Sequence, residues 1–221
     1  MTPRRGTLLA FVAASVSAVA PVAAQRAAHD HLALIGGIVS SNWGFTGGPS
    51  EGQHGLVGFV AGIGVAPPVG QSFAFAPELL YVSKGASLLF GGNVQIDFRL
   101  HYIEAPLLYR YAPTLSRSIH PFLTAGPEFS VRAACSAKAT NSPGNGGTVS
   151  VERCITGFGQ IPQDEPNWLD FGVIAGAGVR SGRLSASVRY DAGLTDIYSR
   201  YGVDGSKTRN TAWLFAVAVE R

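Results

Sequence analysis

Charged residues are scarce in this chain. Asp, Glu, Lys and Arg together make up 14% of its 221 residues, against about 25% in ordinary soluble domains. The chain has only 2 cysteines, without a histidine pair at ligand spacing, so there is no zinc signature and we expect neither a metal nor another cofactor. No long apolar run follows residue 20, which argues against a mature spanning helix, because such a helix needs about 20 apolar residues.

The first 24 residues have the three parts of a secretory signal peptide. Arg4 and Arg5 are basic, residues 8–20 are apolar, and small residues at 22–24 precede Gln25. The apolar run is too short to span a bilayer. We therefore predict a cleaved signal peptide at 1–24 and a mature chain at 25–221, with an uncleaved anchor as the alternative.

Loss of the signal removes Arg4 and Arg5 but no acidic residue. The whole chain has 17 basic and 14 acidic residues, so the excess of basic residues falls from three to one. A nearly neutral chain lacks the basic surface that nucleic-acid binding needs, and we expect no nucleic-acid partner. Low charge combined with 28 glycines and 10% aromatic residues suits a transmembrane β-barrel.

Eight stretches of the chain alternate in polarity with the period of two that is typical of β-strands. They cover residues 31–40, 55–65, 72–84, 94–111, 120–132, 168–180, 184–191 and 211–221. Each has about the 9–11 residues that a tilted strand needs to cross a bilayer, or more. In the fourth stretch the apolar parity changes midway, which predicts a β-bulge near Tyr102.

The gaps between these stretches run long, short, long, short. The odd gaps are the longer ones, at 41–54, 85–93, 133–167 and 195–210, and the even gaps lie at 66–71, 112–119 and 181–182. In outer-membrane barrels the short turns face the periplasm and the long loops face outward. The rhythm predicts an all-β, eight-stranded antiparallel up-and-down barrel in a bacterial outer membrane, with its loops outside and both termini in the periplasm.

The longest gap, 133–167, contains both Cys135 and Cys154. In an exported protein two nearby cysteines predict a disulfide, and two free thiols are the alternative. Any specific function is expected in this gap, because it is the largest segment at the loop-rich end.

Four strand motifs resemble those of a known family. The runs YIEAPLLY at 102–109, PFLTAGP at 121–127, DFGVIAGAG at 170–178 and VRYDAGLT at 188–195 are similar, in order, to strands of the outer-membrane β-barrel domain family of porin-like, or PorT-like, small barrels. The resemblance implies this fold for the mature chain but no particular function, since most members have none assigned.

The resemblance also implies partners. They are the lipid of the outer membrane and the outer-membrane assembly machinery; an extracellular partner is unknown. Barrels of this kind usually end on an aromatic residue that the assembly machinery recognises, whereas this chain ends Val219-Glu220-Arg221. Either Trp213 and Phe215 carry the signal or the C-terminus is atypical.

Charged residues within the strands are predicted to face the lumen, which in an eight-stranded barrel is just filled by side chains. On the lipid face an Arg or Lys would cost about 2–4 kcal/mol at the midplane. The predicted luminal charge network consists of Glu78, Arg99, Glu104, Glu128, Arg132, Asp170, Arg189 and Asp191, with Arg180 as a further candidate. Its favoured role is a structural plug of ion pairs; a gated ion path or a small-ligand site is the alternative.

Aromatic residues at strand ends are typical of interfacial girdles. The predicted girdle residues are Tyr81, Tyr109, Trp168, Tyr190 and Trp213. Trp43 is expected to join them, or to form a glycan-binding platform in the first loop.

No catalytic site is predicted. His101 lies near Glu104, and Ser185 and Ser187 are expected in the lumen, but no His–Ser pair lies on the lipid-facing side, where a lipid hydrolase would meet its substrate. The sequence favours a small, non-enzymatic barrel with a structural or surface-interaction role. The alternatives are a narrow or gated channel for ions or small solutes, and a soluble lipocalin-like ligand-binding barrel.

Overall fold

The computed structural model describes residues 32–46, 53–65, 72–90, 94–113, 118–141, 148–151, 166–197 and 207–221. They contain the strands β1 (Leu32–Thr46), β2 (Gln53–Val65), β3 (Phe73–Phe90), β4 (Val94–Tyr111), β5 (His120–Asn141), β6 (Thr148–Val151), β7 (Leu169–Ser181), β8 (Leu184–Gly193) and β9 (Lys207–Glu220). Among these residues no helix is long and apolar enough to cross a membrane. The signal peptide predicted at 1–24 lies outside the described residues.

Eight of these strands form a closed antiparallel ring. The strand order is β4-β3-β2-β1-β9-β8-β7-β5, and the β4–β5 ladder joins the two ends. The short strand β6 pairs with residues 137–140 of β5, beyond the end of the β5–β7 ladder. This end of the barrel, opposite the β7–β8 turn, is its upper end. The predicted eight-stranded up-and-down barrel is confirmed. Closure leaves no free edge in the ring, which is what allows a sheet to cross a bilayer.

Strand alternation separates an outer apolar belt from an inner face that contains charges. On β8, Val188 and Tyr190 are exposed while Arg189 and Asp191 are buried. The belt continues round the ring through outward-facing apolar residues, among them Leu34, Ile38, Phe59, Ile63, Leu79, Leu123, Phe129, Val173, Val179, Phe215 and Val217. An apolar exterior around buried charges argues against the soluble lipocalin-like alternative.

The polarity of the wall inverts along β4. In its lower part, toward Tyr111 and the end of the barrel with the β7–β8 turn, Ile103 and Tyr109 are exposed while Glu104 and Arg110 are buried. In its upper part the polar side chains face outward and the apolar ones inward: Gln95 and Arg99 are exposed, whereas Ile96, Phe98 and Leu100 are buried. The outer face therefore changes from lipid-compatible to water-compatible between Ile103 and Arg99, which marks one boundary of the membrane.

This inversion explains why several predicted strand ends are wrong. β3 continues to Phe90, β5 continues to Asn141 and β9 begins at Lys207, so most of the predicted loop 85–93 and the beginning of 133–167 are strand. Beyond the boundary β4 and β5 continue to alternate with their apolar side inward, whereas the inward residues Thr208 and Asn210 of β9 are polar. In these three strands the outward apolar signal of a membrane strand is lost. The predicted strand β4, at 94–111, agrees with the structure.

The predicted bulge lies at the expected height but on the neighbouring strand. His101 pairs with Ala134 and Tyr102 with Arg132, so the extra residue is Ala133 of β5. β4 itself alternates without interruption from Ile96 to Arg110. The parity change in the β4 sequence reports the change of surrounding medium rather than a bulge in that strand.

The barrel end opposite the strand extensions carries a tight turn. Ser181 pairs with Leu184, which leaves Gly182 and Arg183 as the two residues of the turn. Gly182 has a φ of 58°, in the left-handed region that residues with a Cβ rarely adopt. The predicted turn at 181–182 is thus displaced by one residue.

We expect Gly182→Ala to lower the free energy of unfolding by about 1 kcal/mol, because an alanine is strained in a left-handed conformation. Urea unfolding of the protein refolded in lipid vesicles measures this change. Gly36→Ala is the matched control, since an added Cβ there meets nothing within 4 Å, and it should leave stability near that of wild type. Equal losses in both variants would contradict a conformational origin of the effect.

Candidate functional site

The charged side chains of the lumen converge on Lys84 of β3. Its ammonium lies 2.6 Å from Glu104 Oε1 and 3.4 Å from Glu128 Oε1, and it also contacts the carboxylate of Asp191. All four residues are buried, with at most 3% of any of them exposed. The three carboxylates come from β4, β5 and β8, so one cation joins four strands.

The donor set around Lys84 is that of a cation site. Carboxylate oxygens of Glu104, Glu128 and Asp191 lie within 4.8 Å of one another, a spacing and chemistry that suit a hard metal ion. The Lys84 ammonium lies among these oxygens and contacts all three carboxylates. The hydroxyl of Ser130 adds a hydrogen bond by donating to Glu128 Oε1 at 2.8 Å. We interpret the lysine as the built-in cation of this cluster.

A second ion pair crosses the lumen closer to the end of the barrel that carries the β7–β8 turn. Arg189 Nη1 lies 2.5 Å from Glu78 Oε2, and Nη2 donates to Oε1 at 2.9 Å. This bidentate geometry is the strongest that Arg and a carboxylate form. The pair joins β8 to β3, and these two strands are four places apart in a ring of eight. The contact therefore spans the full diameter of the barrel.

A third group closes the end that carries the Gly182 turn. Arg180 Nε lies 2.8 Å from Glu220 Oε2, and Arg110 Nη1 lies 3.5 Å from Glu220 Oε1. The guanidinium of Arg110 also lies 4.3 Å from the ring centroid of Phe122. The carboxylate of Glu220, near the C-terminus, thus links β9 to β4 and β7.

Above Lys84 a layer of polar side chains around the carboxylate of Asp170 leads to an apolar layer. Asn210 Nδ2 donates to Tyr102 Oη at 3.1 Å and to Asp170 Oδ2 at 3.0 Å, and the Thr195 hydroxyl donates to Asp170. Over these groups lies a cluster formed by Trp43, Ala86, Ile96, Phe98, Leu100, Ala137, Ala139 and Ile197. Side chains thus occupy the described lumen at successive heights from the turn end to the extended end.

Most of the predicted luminal charges lie where the lumen is. Glu78, Glu104, Glu128, Arg189 and Asp191 are buried inside the barrel, in contact with one another through Lys84 or as the Glu78–Arg189 pair. Arg132 and Asp170 have the inward parity and are half-buried. Arg180 also faces inward, onto Glu220.

Arg99 is the correction to this set. It is exposed on the outer face, and its Nη1 donates to the main-chain oxygen of Val57 at 3.2 Å. The luminal prediction assumed that lipid covers the outer wall at this height. Because Arg99 lies beyond the polarity inversion, an outward charge carries no such cost there.

The structure places the five predicted girdle residues on the outer face. Tyr81, Tyr109, Trp168, Tyr190 and Trp213 are exposed, and the rings of Tyr190 and Trp213 lie 4.9 Å apart. Their interfacial role stays a prediction.

Trp43 is a second correction. It is 4% exposed and packs inside the barrel with its ring 5.2 Å from that of Phe98, so it is neither a girdle residue nor a glycan platform. Like Arg99, it lies where the apolar side of the wall faces inward.

Lys84, Arg110 and Glu220 are luminal residues outside the predicted set. Strand parity contains the signal for each of them. Lys84 is an even number of residues from Glu78 on β3, and Arg110 is an even number from Glu104 on β4. Glu220 likewise shares the parity of the buried Leu214 and Ala216 on β9.

The predicted disulfide is only half covered by the structure. Cys135 lies on β5, partly buried beside the apolar cluster that contains Phe98. Cys154 lies outside the described residues, and the disulfide stays a prediction.

A family model described as an outer membrane protein beta-barrel domain matches residues 40–199 of the chain. The chain belongs to this family. Membership confirms the resemblance seen in the four strand motifs and places the protein among bacterial outer-membrane barrels. No curated protein matches the chain.

Solved structures similar to this family member include small barrels with different roles. Ail, the attachment invasion locus protein of Yersinia pestis, is 10% identical with a TM-score of 0.42, and the match covers 87% of this chain and 99% of Ail. OprG of Pseudomonas aeruginosa is 13% identical with a TM-score of 0.44, over 87% and 96%. The outer membrane enzyme PagL is 13% identical with a TM-score of 0.43, over 85% and 98%.

We expect Arg189→Met to lower the free energy of unfolding by about 3–5 kcal/mol, because it leaves Glu78 as a buried charge without its partner. The double variant Arg189→Met, Glu78→Leu removes both charges and should regain much of this loss. Urea unfolding in vesicles measures all three proteins.

Arg183→Met, at an arginine exposed in the turn, is the control and should change stability by less than about 0.5 kcal/mol. A double variant as unstable as the single one would show that Glu78 and Arg189 are not coupled.

Proposed function

We propose that this protein is a closed outer-membrane barrel with a structural or surface-contact role. The observation that supports this most strongly is the set of contacts across the barrel diameter. Lys84–Asp191 and Glu78–Arg189 both join β3 to β8, and Tyr102–Asn210 joins β4 to β9. In a ring of eight strands such contacts leave no room for a diffusion pore.

The proposed orientation puts the long loops outside the cell and both termini in the periplasm. Two features support it. The β7–β8 turn has only two residues, as periplasmic turns do. At the other end β3, β4 and β5 continue past the membrane boundary. On the upper parts of β4 and β5, polar residues face outward and buried apolar residues face inward, which suits a wall that stands in water.

The proposed contact surface is this extended end. It combines the upper parts of β3, β4 and β5 with β6. Its buried apolar cluster around Phe98 and Trp43 stabilises the upper parts of these strands by packing inside the barrel, without a contribution from lipid. The remaining proposed partners are the membrane lipid and the assembly machinery, with Trp213 and Phe215, both exposed on β9, as the recognised aromatics.

The orientation predicts which insertions are accessible on intact cells. An epitope inserted between Asn141 and Thr148 should bind antibody on whole cells, whereas the same epitope after Gly182 should bind only after the outer membrane is opened. Flow cytometry with and without permeabilisation measures both. Antibody binding to the Gly182 insertion on intact cells would reverse the proposed orientation.

A narrow cation channel is the second candidate, favoured by the three carboxylates at the centre of the lumen. Lys84 argues against a channel, because its ammonium contacts all three carboxylates and occupies the position that a passing cation would take. The candidate thus depends on whether this contact persists in the membrane.

We expect the refolded wild-type protein to show no steady current in a planar bilayer. Lys84→Ser should produce a small cation-selective conductance, because it removes the Lys84–Asp191 contact and leaves three carboxylates that attract water and cations. The Glu78–Arg189 contact remains and keeps this conductance small. Lys138→Ser is the control, since Lys138 is exposed on β5 outside the lumen, and it should stay silent. A steady current through the wild-type protein would favour the channel over the closed barrel.

The absence of catalysis is also part of the proposal. His101 has the outward parity of β4, whereas Ser185 is buried on the inner face of β8. The barrel wall separates these groups, so among the described residues they do not form the hydrogen-bonded pair that nucleophilic catalysis requires.

A further inference from the structure

Arg99 is a cation on the outer wall at the height where the lipid-facing belt ends. On the outward face of β4 the residues below it are His101 and then Ile103, and Ile103 is exposed as part of the apolar belt. A charged group one or two positions above such a belt lies level with the lipid headgroups rather than with their acyl chains.

The side chain of Arg99 is held in place by its neighbours. Its partner on β3 is Gly85, which has no side chain. β3 lies between β4 and β2. The Arg99 side chain therefore extends along the outer surface over Gly85 and reaches the main-chain oxygen of Val57 on β2 at 3.2 Å. A Cβ at Gly85 would lie 2.0 Å from the main-chain oxygen of Phe98, which excludes a larger residue.

The main-chain oxygen of Val57 is available to Arg99 because the hydrogen-bonded pairing between β2 and β3 is interrupted here. Regular pairing between β2 and β3 stops at Gly55 and resumes at Val60. In this interval the Ser41 hydroxyl of β1 bonds Gly85 instead, accepting from its N–H at 2.7 Å and donating to its oxygen at 2.9 Å. Arg99 donates one of its five N–H groups to the irregular segment, and the exposed guanidinium keeps the others for a ligand.

Aromatic rings lie directly below Arg99 on the same face. The ring of His101 lies 5.7 Å from that of Tyr81 at an interplanar angle of 21°, and Tyr81 lies 5.8 Å from Phe59. The row Phe59–Tyr81–His101 runs across β2, β3 and β4, and it ends beneath Arg99 on a histidine that can donate a hydrogen bond.

The local charge on this part of the wall is positive. Asp97 is the acidic residue among the described outward positions of β3, β4 and upper β5. It accepts from Gln95 Nε2 at 3.0 Å and is the direct cross-strand partner of Lys138. Because Lys138 offsets Asp97, the charge of Arg99 faces the membrane boundary without an acidic neighbour on its own row.

We propose that Arg99, with His101 and Tyr81, binds the phosphate of an anionic lipid in the outer leaflet. A planar guanidinium matches phosphate oxygens with paired hydrogen bonds, the histidine adds a donor, and the aromatic row packs against the upper acyl chain. The choice of leaflet depends on the proposed orientation; the lipid site itself does not.

Native mass spectrometry of the detergent-solubilised protein tests the site. The added probes are phosphatidylglycerol, lipid A, phosphatidylcholine and inorganic phosphate, each at increasing concentration. Wild type should bind the two anionic lipids more tightly than phosphatidylcholine. Arg99→Gln should weaken anionic-lipid binding about tenfold, the loss expected for one charge-assisted contact, and His101→Gln should weaken it less.

Arg183→Gln is the control, because it removes an exposed arginine from the turn at the opposite end of the barrel, and it should stay within about twofold of wild type. Equal losses in Arg99→Gln and Arg183→Gln would overturn the site in favour of general attraction to exposed cations. Equal binding of phosphatidylcholine, or displacement of bound lipid by inorganic phosphate at a similar concentration, would overturn the assignment to an anionic lipid. Circular dichroism of each variant checks that the barrel is folded.

Failure of this site and failure of the proposed function give different results. Unchanged lipid binding in Arg99→Gln overturns the site while the silent lumen stays as proposed. Antibody access to the Gly182 insertion on intact cells overturns the orientation, and with it the leaflet, even when Arg99→Gln loses lipid.

Discussion

Main-chain N–H and C=O groups within a bilayer need hydrogen-bond partners inside the protein, and the β4–β5 ladder completes that requirement by closing the ring. The other features of this barrel depend on the closure. Once eight strands form a ring, alternate side chains must enter a lumen that they just fill. Charged residues placed there by parity are buried away from bulk water, so they need partners across the barrel, as Glu78 and Arg189 have.

Three ion pairs of the lumen differ from local salt bridges because they join opposite strands: Lys84–Asp191, Glu78–Arg189 and Arg110–Glu220. Each contact between β3 and β8 fixes the barrel diameter at one height, and Glu220 does the same for β4 and β9 at the turn end. A buried pair of this kind adds little net stability compared with apolar side chains of the same size, but it is costly to break. It therefore specifies one arrangement of the lumen, the closed one, more strongly than it stabilises the fold.

The outer wall of the barrel is suited to lipid at one height and to water at another, and this change in polarity occurs within single strands. Below His101 the outer face of β4 is apolar and the lumen charged; above it the outer face is polar and the interior apolar. The same inversion accounts for the buried Trp43, for the exposed Arg99 and for strands that continue past their predicted ends. It also places Arg99, which the sequence predicts in the lumen, on the outer face just above the apolar belt.

The sequence by itself determined the architecture and the parity of its strands. Period-two alternation and the rhythm of the gaps predict an eight-stranded barrel, and they place Arg189 and Asp191 inside with Val188 and Tyr190 outside. Alternation states which residues share a face, however, and not which faces meet across the ring or which medium covers them. Only the tertiary structure decided that Lys84 contacts three carboxylates and that Arg99 lies outside. The physical reason is that both depend on ring closure and on the height of the membrane, which no single strand encodes.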